Sequence, residues 1–212
     1  MRTLEGGKAR LGGALDAEER EELIVGMLRR LLAVIRSWGG AERVDVVSPD
    51  AALLAVAERE GARPVPQRSV GLNAGLRDGA AAAVAAGATA LLILPGDVPL
   101  VDAESLERVS DAADAALAAG SGRPVVVIVP ADARGGTNAL LLAPPDVIAP
   151  AFGGPSLDAH LRAAEAAGAS VQLVVDPGLG FDLDTPDDLA RLDPALLAAL
   201  QALGASVSDS VP

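Results

Sequence analysis

Short apolar runs alternate with longer helix-type segments along most of this 212-residue chain. The runs are continuous, as in Leu91-Leu92-Ile93-Leu94, and Gly or Pro residues close many of the segments between them. Such alternation is typical of strands joined by helices, and continuous apolar strands indicate a mostly parallel sheet with both faces covered. The pattern therefore predicts an α/β protein whose ligands lie beyond the carboxyl ends of the strands.

Periodicity, together with start and stop signals, defines the individual segments. Predicted helices span residues 16–38, 50–60, 71–86, 103–119 and 155–167, and two short helices end the chain. Predicted strands span residues 44–47, 63–66, 89–94, 125–129, 138–142 and 171–175. The fourth and fifth of these strands flank a polar Gly-Gly loop, and we expect them to pair as neighbours.

Composition excludes several classes of protein. Half of the residues are apolar but only 1% are aromatic, so the core must consist of Ala, Val, Leu and Ile. A net charge of −12 argues against a nucleic-acid surface, and the absence of cysteine excludes disulfides and thiolate chemistry. No apolar run reaches membrane-spanning length and the N-terminus lacks a signal-peptide core, so we expect a cytoplasmic protein without membrane contact.

Asp97 follows the 89–94 strand, held between Pro-Gly and Val-Pro. Asp182 and Asp184 alternate with apolar residues, so in an extended segment both carboxylates face the same way. Carboxylates from two loops that converge on one ion would suit Mg²⁺, which takes one or two protein carboxylates. The alternatives are an ordinary turn aspartate at position 97 and a pair that simply faces water.

The segment that follows resembles a helix start, with Thr185 as N-cap, Pro186 at the first position and Asp188 in the first turn. One of the two aspartates could therefore serve only that cap.

Two further segments offer groups for an anionic ligand. Thr137 adds a hydroxyl to the loop 134–138, although a plain hairpin turn explains the Gly-Gly equally well. Ser156 opens a helix after Gly153-Gly154-Pro155, where free N–H groups suit a phosphate or carboxylate, and it could equally be only the N-cap. His160, the only histidine, is interpreted as structural.

The N-terminal loop contains Lys8 and Arg10 among glycines. Two cations in such a loop would suit a triphosphate, although a solvated basic turn is the more common meaning. The spacing is not that of a Walker loop.

Six segments of the chain form a recognisable series. In order they are "KARL", "GLNAGLRDG", "LPGDVPLV", "GGTNALLL", "FGGPSLDAH" and "GFDLDTPDDL". They resemble the motifs of the phospholactate and phosphoenolpyruvate guanylyltransferases, which make the activated three-carbon precursor of the deazaflavin coenzyme F-420. The resemblance covers about residues 3–190, and the Gly-Thr-Asn loop with the Phe-Gly-x-x-Ser segment makes it more specific.

The resemblance implies a Rossmann-like, three-layer α/β/α nucleotidyltransferase fold of the GT-A type, with an antiparallel strand in a mostly parallel sheet. It implies that the acceptor's phosphate oxygen attacks the α-phosphorus of GTP and expels pyrophosphate, with Mg²⁺ as cofactor. Lys8, Arg10 and Asp97 are the expected catalytic residues. The expected ligand contacts are Asp97, Asp182 and Asp184 for the metal, Thr137, Gly153 and Ser156 for the three-carbon acid, and Lys8, Gly71 and Asn73 for the nucleotide.

Phosphoenolpyruvate is the first choice of acceptor, because the Ala-, Gly- and Arg-rich composition is typical of bacterial proteins; 2-phospho-L-lactate is the second. The alternatives are another nucleotidyltransferase of this type, such as a molybdopterin guanylyl- or cytidylyltransferase, or a non-catalytic nucleotide-binding domain. The segment "TLEGGKARL" is a poor match to the N-terminal loop of the molybdopterin guanylyl- and cytidylyltransferases.

We expect a single nucleotidyltransferase domain over residues 1–205 and a flexible tail over residues 206–212. Members of the resembled family begin with a short apolar strand that this chain largely lacks, so we also expect its natural start to lie upstream. The sequence leaves the oligomeric state open, a homodimer included.

Overall fold

The computed structural model describes residues 8–119, 122–132 and 135–205. Within these ranges the chain forms two compact units. The expectations for the N-terminal strand and the C-terminal tail fall on residues 1–7 and 206–212, which lie outside the described residues. Among the described residues, no helix is long and apolar enough to cross a membrane.

The first unit comprises Met1–Pro66, Gly96–Pro99 and Asp182–Pro212, as far as these segments are described. A 3₁₀ turn over Ala9–Leu11 comes before its regular elements. In chain order these elements are α1 (Ala17–Trp38), β1 (Asp45–Ser48), α2 (Ala51–Arg59), β2 (Arg63–Pro66), α7 (Pro186–Arg191) and α8 (Pro194–Ala205). The strands β1 and β2 pair in parallel.

Helix α1 begins where the sequence predicts. The carboxylate of Asp16 accepts a hydrogen bond from the N–H of Glu19, and the side chain of Glu19 accepts one from the N–H of Asp16. This capping box satisfies two of the free N–H groups of the first turn. Gly39 ends the helix in the left-handed region, at φ 74°.

Helices α1 and α8 pack against each other at two glycines. A Cβ atom placed on Gly26 would overlap the carbonyl oxygen of Leu200, and one placed on Gly204 would overlap that of Glu22. The two helix backbones therefore approach more closely than any larger side chain would allow. Leu200 is fully buried in this contact region.

The second unit comprises Gln67–Pro95 and Leu100–Phe181. Its elements are α3 (Leu72–Ala85), β3 (Leu91–Ile93), α4 (Ala103–Ala118), β4 (Val125–Pro130), β5 (Thr137–Ala143), α5 (Ser156–Ala166), β6 (Ser170–Leu173) and α6 (Pro177–Gly180). The strand order is β3-β5-β4-β6.

One reversed strand distinguishes this sheet from a wholly parallel one. The strand β5 is antiparallel to both β3 and β4, whereas β4 and β6 are parallel. The predicted pairing of β4 with β5 is therefore confirmed, as is the α/β class with one antiparallel strand. Every residue of β5 is buried, as is β4 up to Val129, which explains their continuous apolar sequence.

One predicted strand is shorter in the structure, and the number of helices after the last strand also differs from the prediction. The strand predicted for residues 89–94 is only Leu91–Ile93, because only those three residues pair with β5. Three helices, rather than two, follow the last strand. The additional one, α6, is a single turn over Pro177–Gly180, capped by Asp176, and its two glycines argue against a helix on propensity alone.

Candidate functional site

The ammonium group of Lys8 lies between two carboxylates of the first unit. Its Nζ atom is 2.7 Å from Asp97 Oδ2 and 2.7 Å from Asp184 Oδ1. The lysine side chain is 8% exposed, whereas the two aspartate side chains are 30% and 34% exposed. The site thus consists of a buried ammonium group and two carboxylates that remain partly accessible to ligands.

Hydrogen bonds to main-chain carbonyl groups fix the loop that carries Asp97. The N–H of Leu183 donates to the carbonyl oxygen of Asp97 at 3.0 Å. Arg30 on α1 donates from Nε to the carbonyl oxygen of Pro99 at 2.8 Å. The loop around Asp97 is therefore fixed by hydrogen bonds as well as by its prolines.

Helix α7 holds Asp184 from the other side. Thr185 is its N-cap and Pro186 its first residue, as the sequence indicates. The buried carboxylate of Asp188 accepts from the N–H groups of Asp184 and Thr185 and from the Thr185 hydroxyl. Asp188 thus serves the cap, and the carboxylate of Asp184 is directed to Lys8.

The electrostatic balance keeps Lys8 charged. Burial, the largest single influence, acts to lower the pKa of Lys8, because it removes the ammonium group from water. The charges of Asp97 and Asp184, with their hydrogen bonds, outweigh burial and raise the pKa above its ordinary value of 10.5. Lys8 is therefore a cation at neutral pH.

Asp182 and Asp184 alternate with buried Phe181 and Leu183, as expected for an extended segment. Among the residues that the structure describes, however, no group of three or more acidic or histidine side chains could hold a metal ion. In the structure Lys8 accompanies Asp97 and Asp184. The metal contacts of Asp97, Asp182 and Asp184 stay predictions.

The exposed side chain of Arg10 lies on the 3₁₀ turn that follows Lys8. The predicted contact of Arg10 with nucleotide phosphates stays a prediction.

In the second unit, Thr137 lies at the start of β5 with a buried hydroxyl group. Its Oγ1 atom is 2.9 Å from Nδ1 of His160 on α5. The other ring nitrogen, Nε2, accepts a hydrogen bond from the N–H of Ala151 at 2.9 Å. His160 is fully buried, and burial lowers its pKa.

The loop before Thr137 lies against the start of α5. The N–H of Leu157 donates to the carbonyl oxygen of Gly135 at 3.1 Å. A Cβ atom on Gly136 would be 3.9 Å from Oγ of Ser156, which is buried at the first position of the helix. Gly136, the neighbour of Thr137 in the chain, therefore lies next to Ser156, and no side chain caps this helix.

Gly153 and Asn73 shape the segment that enters α5. Gly153 has φ 94°, a conformation that L side chains rarely adopt. The amide of Asn73 donates to the carbonyl oxygen of Phe152 at 2.8 Å and accepts from its N–H at 2.7 Å. Asn73 thus fixes the backbone next to Gly153, and its expected nucleotide contact stays a prediction.

Gly71 precedes α3 in the second unit with φ 100°, and its carbonyl oxygen accepts from the Gln67 side chain. The glycine is required here for the turn into the helix. Its predicted nucleotide contact is untested by this geometry.

Three further residues organise these sites. The sequence indicates Asp188 as part of a helix start and His160 as structural, both in agreement with the structure, but it does not single out Arg30. A signal existed for Asp188, since Thr-Pro-x-Asp is a capping pattern. For Arg30 and His160 the partners are a main-chain carbonyl and a distant threonine, which no local pattern indicates.

Sequence relatives agree with the predicted resemblance. A family model described as "Guanylyl transferase CofC like" matches residues 1–193. The chain belongs to this family. The CofC-like chain is 45% identical, over 193 residues, to the phosphoenolpyruvate guanylyltransferase of Rubrobacter xylanophilus, a match that covers 91% of this chain and 90% of that protein.

A second relative of this CofC-like protein is named for a different acceptor. It is the 3-phospho-D-glycerate guanylyltransferase of Phenylobacterium zucineum, 36% identical over 191 residues, which cover 88% of this chain and 84% of the relative. Relatives of comparable coverage thus differ in the three-carbon acid after which they are named.

Solved structures agree on the fold. A protein of Desulfovibrio desulfuricans G20, assigned as a nucleotide-diphospho-sugar transferase, superposes with a TM-score of 0.72 at 17% identity. The match covers 97% of this chain and 94% of that one. The predicted nucleotidyltransferase-type α/β fold is therefore confirmed.

Proposed function

We propose that this chain transfers GMP from GTP to phosphoenolpyruvate and releases pyrophosphate, in the pathway to the deazaflavin coenzyme F-420. Membership of the CofC-like family and the 45% identity to a phosphoenolpyruvate guanylyltransferase support the proposal. The structural observation that carries it is the pair Asp97 and Asp184, brought to one cation from two loops. The relative named for 3-phospho-D-glycerate makes that acid the second candidate acceptor.

The residues present fit a divalent cation. Asp97 and Asp184 already converge on one positive charge, and their carboxylates are oxygen ligands of the kind that Mg²⁺ prefers. These two residues would hold the ion. When bound, Mg²⁺ supplies charge neutralisation for the phosphates of the nucleotide and of the leaving pyrophosphate.

The reaction needs no nucleophilic side chain. An ionised phosphate oxygen of the acceptor forms a bond to the α-phosphorus of GTP, and the bond from that phosphorus to the oxygen bridging to the β-phosphate breaks. The electron pair leaves with pyrophosphate, so no proton must be removed from the nucleophile. Catalysis then depends on positioning and on neutralisation of charge.

The chain's own residues have separate tasks in this proposal. Lys8 stays charged at neutral pH and opposes the negative charge of the phosphates, together with Arg10 of the following 3₁₀ turn. Thr137 and Ser156 supply hydroxyl groups for the anionic groups of the acceptor. Gly153 allows the backbone of the same segment to approach the acceptor closely.

Pyrophosphate release tests the proposal. Purified protein is given GTP and Mg²⁺ with phosphoenolpyruvate, 3-phospho-D-glycerate or 2-phospho-L-lactate in turn, and we expect the highest kcat/KM with phosphoenolpyruvate. Addition of excess EDTA should abolish release. A full-length protein that releases no pyrophosphate with any of the three acids would overturn the proposed function.

Asp97→Asn separates catalysis from nucleotide binding alone. We expect kcat/KM to fall at least about 100-fold, since a carboxylate that holds the cation is lost. Asp111→Asn makes the same change at an exposed position on α4 and should leave kcat/KM unchanged. Equal activity of the two variants, with unaltered circular dichroism, would remove Asp97 from the proposed site.

A further inference from the structure

The only histidine of the chain lies fully buried beside a residue of the proposed acceptor site. His160 contacts Thr137 through Nδ1 and the N–H of Ala151 through Nε2. The ring edge of Phe152 also packs against it, with the ring centroids 5.1 Å apart and the planes at 68°. An imidazole ring in this position either only stabilises the core, with both nitrogens hydrogen-bonded, or also fixes the orientation of the Thr137 hydroxyl.

The backbone contact fixes the tautomer of His160. A main-chain N–H can only donate, so Nε2 must carry a lone pair and no proton. In the neutral ring the proton is then on Nδ1, and Nδ1–H donates to Oγ1 of Thr137 at 2.9 Å. Burial, which lowers the pKa of His160, also opposes the doubly protonated ring.

This tautomer determines what the Thr137 hydroxyl can do. Because Oγ1 accepts from His160, the hydroxyl proton must be donated elsewhere. Within the part of the chain that the structure describes, His160 is the hydrogen-bond partner of this hydroxyl. The hydroxyl is therefore presented as a donor, which suits an acceptor-only group such as a carboxylate or phosphate oxygen.

We infer that His160 is a positioning residue for the three-carbon acid: it holds the Thr137 hydroxyl as a hydrogen-bond donor to an anionic oxygen of that substrate. The inference rests on the proposed function. It assigns His160 no contact with the substrate and no proton transfer. Its effect belongs to acceptor binding through Thr137 and does not extend to GTP.

The tautomer can be measured without any substrate. Since the chain contains one histidine, ¹⁵N-labelled imidazole gives a single pair of nitrogen signals in an NMR spectrum at pH 7. We expect the signals of a neutral ring protonated at Nδ1, the less common tautomer in solution. Signals of a ring protonated at Nε2, or at both nitrogens, would overturn the inference.

Kinetics then test the coupling to Thr137. His160→Leu removes the donor, and we expect KM for phosphoenolpyruvate to rise about tenfold while KM for GTP stays unchanged. His160→Asn keeps an N–H group near the position of Nδ1 and should recover part of the loss. Thr137→Val should raise the same KM to a similar or greater extent.

The double variant decides between positioning and simple packing. If His160 acts through Thr137, His160→Leu adds little to the loss caused by Thr137→Val, because the group that it positions is already gone. Multiplicative losses in the double variant would overturn the inference. Ile148→Ala, a large-to-small change in the hydrophobic core of the same unit, controls for destabilisation and should leave KM unchanged.

The outcomes separate the two proposals. A wild-type protein that releases no pyrophosphate with any acid overturns the proposed function and, with it, the substrate role of His160. If the wild type is active, two results overturn the role of His160 alone. One is a double variant whose losses multiply, and the other is a His160→Leu variant whose KM rises equally for phosphoenolpyruvate and for GTP.

Discussion

At the scale of single residues, Lys8 shows how one buried cation allows two carboxylates to converge. Without it, the carboxylates of Asp97 and Asp184 would repel each other across the same short gap. Each carboxylate is still about one-third exposed, so solvent screens part of the attraction. The cluster of Lys8, Asp97 and Asp184 thus stabilises the fold and remains partly accessible to charged ligands.

We expect Lys8→Met to lower the free energy of unfolding at pH 7 by about 1–3 kcal/mol. This is below the 3–5 kcal/mol typical of breaking a fully buried pair, because both partners are partly exposed. Arg10→Met, an equivalent change at an exposed side chain two residues later, should cost less than about 0.5 kcal/mol. Urea unfolding measures both, and equal losses would contradict a special role for Lys8.

The pH dependence has a definite sign. The pKa of Lys8 is raised in the folded state, so its stabilisation is fully present below the ordinary value of 10.5 and is lost as the pH rises through the higher folded value. The stability difference between wild type and Lys8→Met should therefore stay constant from about pH 7 to 9 and narrow only above pH 10.5. Narrowing already below pH 9 would mean that burial outweighs the carboxylates.

The identity of these residues was predictable from the sequence, whereas their contact was not. Asp97 and Asp184 stand out as carboxylates in loops, and Lys8 as a cation among glycines. Asp97 and Asp184 lie 89 and 176 residues after Lys8 in the sequence, so no local pattern pairs them with it. Sequence reasoning accordingly gave Lys8 to the nucleotide and both aspartates to a metal, and it missed their mutual ion pair.

At the scale of elements, helix ends were predicted well because their causes are local. The capping residues Asp16 and Thr185 lie within three residues of the groups that they satisfy. The packing of α1 on α8 was not predicted. It depends on glycines at positions 26 and 204, which in the sequence only weaken a helix and give no indication of a partner.

We expect Gly26→Ala and Gly204→Ala each to lower the free energy of unfolding by about 3 kcal/mol or more. Their Cβ atoms would overlap backbone carbonyl groups, which cannot move without separating the helices. Gly13→Ala is the matched control, since a Cβ there meets nothing within 4 Å. Thermal unfolding compares the three variants, and losses like that of the control would contradict the close approach of α1 and α8.

At the scale of the whole molecule, each unit is assembled from separate parts of the chain. The first unit takes three segments and the second takes two. The alternation of strands and helices predicted the α/β class, but it could not show that β5 lies between β3 and β4. That order depends on pairings between residues about 50 positions apart, such as Leu91 with Leu142.

The final prediction concerns the extent of the folded chain. The family match ends at residue 193, immediately before α8, yet Leu200 of α8 is fully buried in the first unit. We expect a chain that ends at residue 205 to unfold at the same temperature as the full chain. One that ends at residue 193 should lose several kcal/mol and aggregate, because the apolar face of α1 is then exposed.

A pair of point variants separates the loss of side-chain packing from the removal of the whole helix α8. Leu200→Ala should cost about 2–5 kcal/mol, whereas Leu203→Ala, on the same helix but partly exposed, should cost less than about 1 kcal/mol. Thermal unfolding and light scattering measure all four proteins. An unchanged melting temperature for the chain that ends at residue 193 would mean that α8 is dispensable and that the folded domain ends with the family match, because burial of Leu200 would then contribute nothing to stability.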